Sequence, residues 1–93
     1  MLSTNSYFDG KVVSIAFETP EGPATSGVML PGEFTFGTSQ NERMIVTAGE
    51  LIVRLPGSED WTSFPAGTEF NITAGDSFDV QIKTPTAYLC YYS

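Results

Sequence analysis

Apolar side chains recur at every second position along much of this chain, in short runs separated by loops rich in Gly, Pro, Asp and Ser. Alternation of this kind buries one face of a strand and leaves the other in water. Lys11-Val-Val-Ser-Ile-Ala-Phe17 is the first such run, blurred by the adjacent Val12 and Val13. Residues 18–23, with two prolines and a glycine, read as a turn. Two short strands, residues 26–30 and 32–37, are predicted on either side of Pro31, and residues 38–41 are polar and loop-like. Arg43-Met-Ile-Val-Thr-Ala48 and Leu51-Ile-Val-Arg-Leu55 flank Gly49-Glu50 and form the clearest predicted hairpin. After a turn at residues 56–60 come strand candidates at 61–64, 69–72, 78–82 and 88–92, punctuated by Pro65-Ala-Gly67, Ala74-Gly-Asp76 and Thr84-Pro-Thr86.

Eight or nine strands at intervals of about ten residues, with no helical stretch of eight residues or more, predict an all-β sandwich or barrel. Connections this short leave no room for crossover helices, so a parallel α/β sheet is excluded. Closure is expected because it removes sheet edges that invite aggregation. The length of 93 residues sets the expectation of one domain, residues 1–93, with one core.

Aromatic residues make up 13% of the chain, enough to close a small core with few side chains or to line a pocket. The formal net charge is −7, and the four basic residues, Lys11, Arg43, Arg54 and Lys83, are scattered. This argues against a polynucleotide partner, which needs clustered Lys and Arg to neutralise phosphates. A small anion remains compatible, since one Arg and a few N–H groups hold it locally. Cys90 is the only cysteine and forms no internal disulfide. No apolar run approaches the roughly 20 residues that span a bilayer, and no basic leader opens the chain, so a cytoplasmic location with no membrane contact is the default expectation.

Two segments are similar to the cupins. Glu42, six intervening residues and Gly49 reproduce the second half of the first cupin motif, and Pro65-Ala-Gly67 reproduces the start of the second. The resemblance implies a double-stranded β-helix (jelly-roll) barrel. The metal-binding histidine positions of the motifs fall at Phe70 and near Phe36 and Thr38, or Thr35 and Gly37, and the chain contains no histidine. With a single cysteine besides, the mixed imidazole–carboxylate sites of zinc or iron cannot be built, so no metal is expected. Gly49 and Gly67 also fit a plainer reading as turn residues, and Phe70 as barrel filling.

Nearly the whole chain resembles the short, cupin-like pyrimidine/purine nucleoside phosphorylase family. The similarity runs through Tyr7-Phe8-x-Gly10-Lys11-Val12, Gly27-Val28-Met29, Gly32-Glu33-x-Thr35-Phe36, Glu42-x-Met44-x-Val46, Gly67-x-x-Phe70-Asn71 and Thr86-x-Tyr88-Leu89-Cys90-x-Tyr92. It implies a homodimer that cleaves purine and pyrimidine ribonucleosides with inorganic phosphate, giving free base and ribose 1-phosphate, with no cofactor. Members of the family often carry Arg between the cysteine and the last tyrosine, where this chain has Tyr91.

Phosphorolysis asks the protein to orient phosphate, stabilise positive charge on the sugar and hold the base. Glu42 is the first candidate for the carboxylate that faces the sugar, because the cupin register aims it into the barrel; Glu33 is the second, unless it is a solvated strand carboxylate. Thr35 and Thr38 are candidates for hydrogen bonds to ribose or phosphate, although threonine is also an ordinary strand residue. Tyr88 and Tyr92 share a face and, with Phe36 or Phe70, offer stacking surfaces that discriminate little between bases. Arg54 interrupts an apolar strand, and either holds phosphate or pairs with an acid on the outer face. Cys90 has no histidine to activate it and reads as a packing thiol. Beside the enzyme reading stand a non-catalytic barrel binding a nucleoside, sugar or aromatic metabolite, and a protein-interaction module.

Overall fold

The computed structural model describes residues 2–93, which form ten β-strands and no helix. The strands are β1 (Ser3–Tyr7), β2 (Val12–Thr19), β3 (Gly22–Met29), β4 (Gly32–Gly37), β5 (Glu42–Ala48), β6 (Glu50–Arg54), β7 (Thr62–Pro65), β8 (Glu69–Ile72), β9 (Ser77–Ile82) and β10 (Thr86–Tyr92). Six make an antiparallel sheet in the order β1-β2-β3-β10-β5-β8, and four make a second in the order β4-β9-β6-β7. No helix among the described residues is long and apolar enough to cross a membrane.

The all-β expectation holds, and the closed barrel does not. Among the described residues, strands β1, β8, β4 and β7 each pair on one side only and no ladder joins the sheets, so the cupin-like double-stranded β-helix barrel is corrected to two facing antiparallel sheets. From β3 onward most links carry the chain from one sheet to the other, and the side chains packed between the sheets hold them together, so edge-to-edge pairing is not needed to join them. Edge protection comes from other devices. Strands β7 and β8 are only four residues each, Pro65 ends β7, and Glu69 sets a charge on β8.

The expected hairpin at Gly49 is corrected in the same way. Gly49 does turn the chain, at φ 81°. Yet β5 lies between β10 and β8, whereas β6 lies between β9 and β7. A Cβ at Gly49 would sit 2.8 Å from the Pro85 carbonyl oxygen, so the corner admits no side chain. Fully buried Thr86 clamps it, accepting from the Glu50 N–H (3.2 Å) and lying within donor reach of the Thr84 carbonyl (2.9 Å). The turn expected at residues 18–23 shrinks to Pro20-Glu21, because β2 runs on to Thr19 and β3 begins at Gly22.

The inner faces of both sheets meet in an apolar core in which Val12, Val46, Leu51, Val53 and Val80 expose no surface. Each such side chain contributes about 1.5–3 kcal/mol by leaving water. Every buried side-chain nitrogen or oxygen among the described residues has a hydrogen-bond partner.

Candidate active site

The core does not fill the whole space between the sheets. Beside it lies a cavity of about 320 Å³, at the lower end of the range of roughly 300–1,000 Å³ usual for small-molecule sites. Phe36 of β4 and Phe78 of β9 stack in its wall with centroids 5.6 Å apart at 28°. Phe8, from the turn after β1, closes the same side. The opposite wall is polar and belongs to the six-stranded sheet, with Glu42, Tyr88, Cys90 and Tyr92 joined by Ser14 and Thr25.

Strand register explains this wall. Alternation along β10 turns Tyr88, Cys90 and Tyr92 inward, and Glu42 enters beside them because β5 pairs with β10 in the register Glu42 to Tyr92 and Met44 to Cys90. Tyr88 finds room because Gly27 lies opposite it on β3, where an added Cβ would stand 2.7 Å from the phenol ring.

Glu42 is half-buried, and the loss of water raises its carboxyl above the ordinary glutamate value. The Cys90 thiol, 3.5 Å from Oε1, donates to it and partly offsets that rise. Burial, reinforced by the Glu42 charge, pushes the Cys90 thiol up to about 12, so at neutral pH it is a donor and no nucleophile. Burial also raises Tyr88 to about 12, against the lowering influence of the nearby Ser14 hydroxyl. Tyr92 is raised by burial too, with its bond to the Thr25 hydroxyl (3.0 Å) acting the other way. The wall therefore offers one carboxyl group and a set of neutral O–H and S–H groups. No Lys or Arg side chain lines it.

Of the residues singled out from sequence, Glu42, Thr35, Phe36, Tyr88 and Tyr92 line this cavity. Thr35 does so from a strand whose side chain faces the other way, since its hydroxyl donates to Asp79 (2.7 Å) on the outer face of the four-stranded sheet. Glu33 and Arg54 lie on that outer face, away from the cavity. Glu33 accepts from the Gln81 amide (3.0 Å). Arg54 donates twice to Asp79, at 2.6 and 3.0 Å, and its guanidinium lies 4.9 Å above the Trp61 ring, so of its two readings the outward ion pair is the one seen. Thr38 is buried in loop contacts, its hydroxyl reaching the carbonyls of Thr73 (2.9 Å) and Asp76 (3.0 Å). Phe70 is core, packed against Phe64 and Phe78.

Sequence reasoning missed Phe8, Ser14, Thr25 and Phe78 as lining residues. Ser14 interrupts the apolar run of β2 at an inward position, a signal available from the alternation; Phe8 sits in a turn, where alternation says nothing. Tyr91 points away from the cavity. Its ring lies 4.6 Å beneath the Arg43 guanidinium, which also pairs with Glu21 at 3.2 Å. An arginine at this position would stand on the outer face of the six-stranded sheet, next to Arg43, and not among the cavity groups.

A family model described as pyrimidine/purine nucleoside phosphorylase matches residues 2–92. A Pseudomonas fluorescens protein named pyrimidine/purine nucleoside phosphorylase is 58% identical over 92 residues, covering 99% of this chain and 98% of that protein. A protein of the same name from Rhodopirellula baltica is 53% identical, covering 99% of this chain and 100% of that protein. Among solved structures, a Vibrio parahaemolyticus protein of unknown function superposes with a TM-score of 0.96 at 45% identity, covering 100% of this chain and 99% of that one.

Proposed function

The chain belongs to the pyrimidine/purine nucleoside phosphorylase family, and from that premise we propose that it is a phosphorylase cleaving purine and pyrimidine ribonucleosides with inorganic phosphate, releasing free base and α-D-ribose 1-phosphate. A phosphate oxygen bonds to the anomeric carbon while the N-glycosidic bond breaks, and the bonding electron pair leaves with the base. The observation that carries this reading to particular residues is a single half-buried carboxyl group, Glu42, set opposite the stacked pair Phe36 and Phe78 in one cavity.

In this arrangement the aromatic wall holds the base, and tolerance of different bases follows from stacking, which every base face supports. Glu42, ionised, faces the ribose and stabilises the positive charge that develops there; a partly desolvated carboxylate does this better than a hydrated one. Tyr88, Tyr92, Thr25 and Ser14 supply neutral donors for ribose and phosphate oxygens. Thr35 contributes shape through its backbone. Phosphate enters without a cation to meet it, and is held by O–H and backbone N–H groups. Glu33, Arg54, Thr38 and Phe70 are assigned no contact with the reacting atoms.

The two sheets share one core and act as one domain. We place a second copy of the chain on the outer face of the six-stranded sheet, where Val28 stands between Val13 and Ala87, and Ile15 lies in line with Leu89 and Ile45 across Ser26. Val13, Ile15, Val28 and Leu30 are all exposed there. A cluster of exposed aliphatic side chains on one sheet face marks a protein contact. The setting is the cytoplasm, where the free Cys90 thiol stays reduced.

The test is incubation of purified protein with a panel of ribonucleosides, with and without phosphate, resolving base and ribose 1-phosphate by chromatography. Phosphate-dependent release of both products is expected, and Glu42→Gln should lower kcat about 100-fold or more with the fold intact. Unchanged turnover in that variant removes Glu42 from the mechanism. Nucleosides that bind and stay intact would favour the non-catalytic reading.

A further inference from the structure

The two sheets share no ladder, and β1 and β4 are edge strands of the six- and four-stranded sheets respectively. Phe8 spans from one to the other. Its ring centroid lies 4.8 Å from Phe34 and 5.5 Å from Phe36, both on β4, while its backbone belongs to the turn between β1 and β2.

That turn is built unusually. Phe8, Asp9 and Gly10 follow one another at φ 53°, 56° and 83°. Glycine adopts such angles freely, but a bulky aromatic residue rarely does, so the strain at Phe8 must be held by what its ring touches. Phe8 lines the cavity and yet is 42% exposed as a residue, so it is the outer wall at that point and not part of the packed core. Its mounting is light. Strand β1 pairs only with β2, and all but one of its five residues are exposed.

We propose that Phe8 is a substrate-contacting door: its ring swings with the β1–β2 turn to admit the nucleoside and closes over the base, completing the aromatic wall begun by Phe36 and Phe78. The identity of the occupant rests on the phosphorylase reading; the door itself does not. A closed ring excludes water from the glycosidic bond and favours transfer to phosphate over hydrolysis.

Cys90 supplies a reporter, because it is the only cysteine and lines the same cavity. The experiment measures labelling of Cys90 by methyl methanethiosulfonate at mildly alkaline pH, where a small thiolate fraction lets the otherwise inert thiol react, followed by mass spectrometry well below the melting temperature, in wild type, Phe8→Ala and Phe8→Leu. Labelling about tenfold faster in Phe8→Ala is expected, with Phe8→Leu intermediate, as befits a local opening and not global unfolding. Equal rates in all three proteins, within about twofold, would overturn the door. In parallel, KM for uridine and inosine should rise about tenfold in Phe8→Ala, the loss expected for one base–aromatic stack, with kcat nearly unchanged. A lower melting temperature with unchanged labelling and unchanged KM would reduce Phe8 to packing and likewise overturn the proposal. If wild type cleaves no nucleoside, the phosphorylase reading fails while the labelling rates still decide the door.

Discussion

At Glu42 two requirements oppose each other. Burial favours the protonated carboxyl, whereas stabilising a sugar cation needs the carboxylate. If the ionised form is the working one, the acid limb of the kcat profile lies above the ordinary glutamate pKa of about 4.3, and activity is lost as pH falls through it. The Cys90 thiol favours the carboxylate by donating to it, so Cys90→Ala should move that limb to higher pH, and Cys90→Ser, which keeps a donor, should leave it near its wild-type position. A kcat–pH series on the three proteins decides it. Stability takes the other sign. Folded Glu42 holds its proton more tightly than the unfolded chain does, so its ionisation penalty is absent below the unfolded pKa and grows as pH rises toward the folded one. Asp79 works in reverse: hydrogen bonds from Thr35 and Arg54 lower its pKa, giving a contribution that is present above the ordinary aspartate value and lost as pH falls through the folded one. Of these residues, Glu42 was legible because a motif spacing marked it. The pairing of Arg54 with Asp79 was not, since two strands far apart in sequence had first to be laid side by side.

Strands β3 and β10 show how one element is cut to fit another. Gly27 carries no Cβ where the Tyr88 ring lies, and β10 can seat that ring in the polar wall only for this reason. Gly27→Ala should cost about 1–3 kcal/mol by overpacking, a drop in Tm on the order of 4–8 °C for each kcal/mol in a domain of this size. Thermal denaturation measures it, and loss of nucleoside turnover below the midpoint would show that Tyr88 has moved. Most strands were readable because their side chains alternate, as in β9, where Phe78, Val80 and Ile82 are buried in turn. Strand β1 was not, because Ser3-Thr-Asn-Ser-Tyr7 buries no regular face and has no alternation to read. The β5–β6 corner misled for a related reason: a glycine between two apolar runs signals a reversal, and says nothing about whether the second run rejoins the first sheet or starts another.

For the molecule as a whole, the outer face of the six-stranded sheet carries the second-copy proposal. Ile15→Glu combined with Val28→Glu sets two charges on that face without touching the core, and light scattering after size-exclusion chromatography should show a dimer in wild type and a monomer in the variant. A monomeric wild type would end the proposal. The sequence indicated an all-β chain with short loops, but closure was inferred from a general hazard of open edges and from a family likeness. The chain meets that hazard locally, with short edge strands, a proline and a charge, and so leaves its sheets unjoined.

The place of β10 has one further consequence. It lies between β3 and β5, so the larger sheet is completed only by residues 86–92, which are made after every other strand of that sheet. A chain emerging from the ribosome presents β3 and β5 with their facing edges bare for roughly 2–9 s at translation rates of about 5–20 residues per second. During that interval the nascent protein depends on the β1–β2–β3 meander for order and on its strong negative charge for keeping apart from its neighbours.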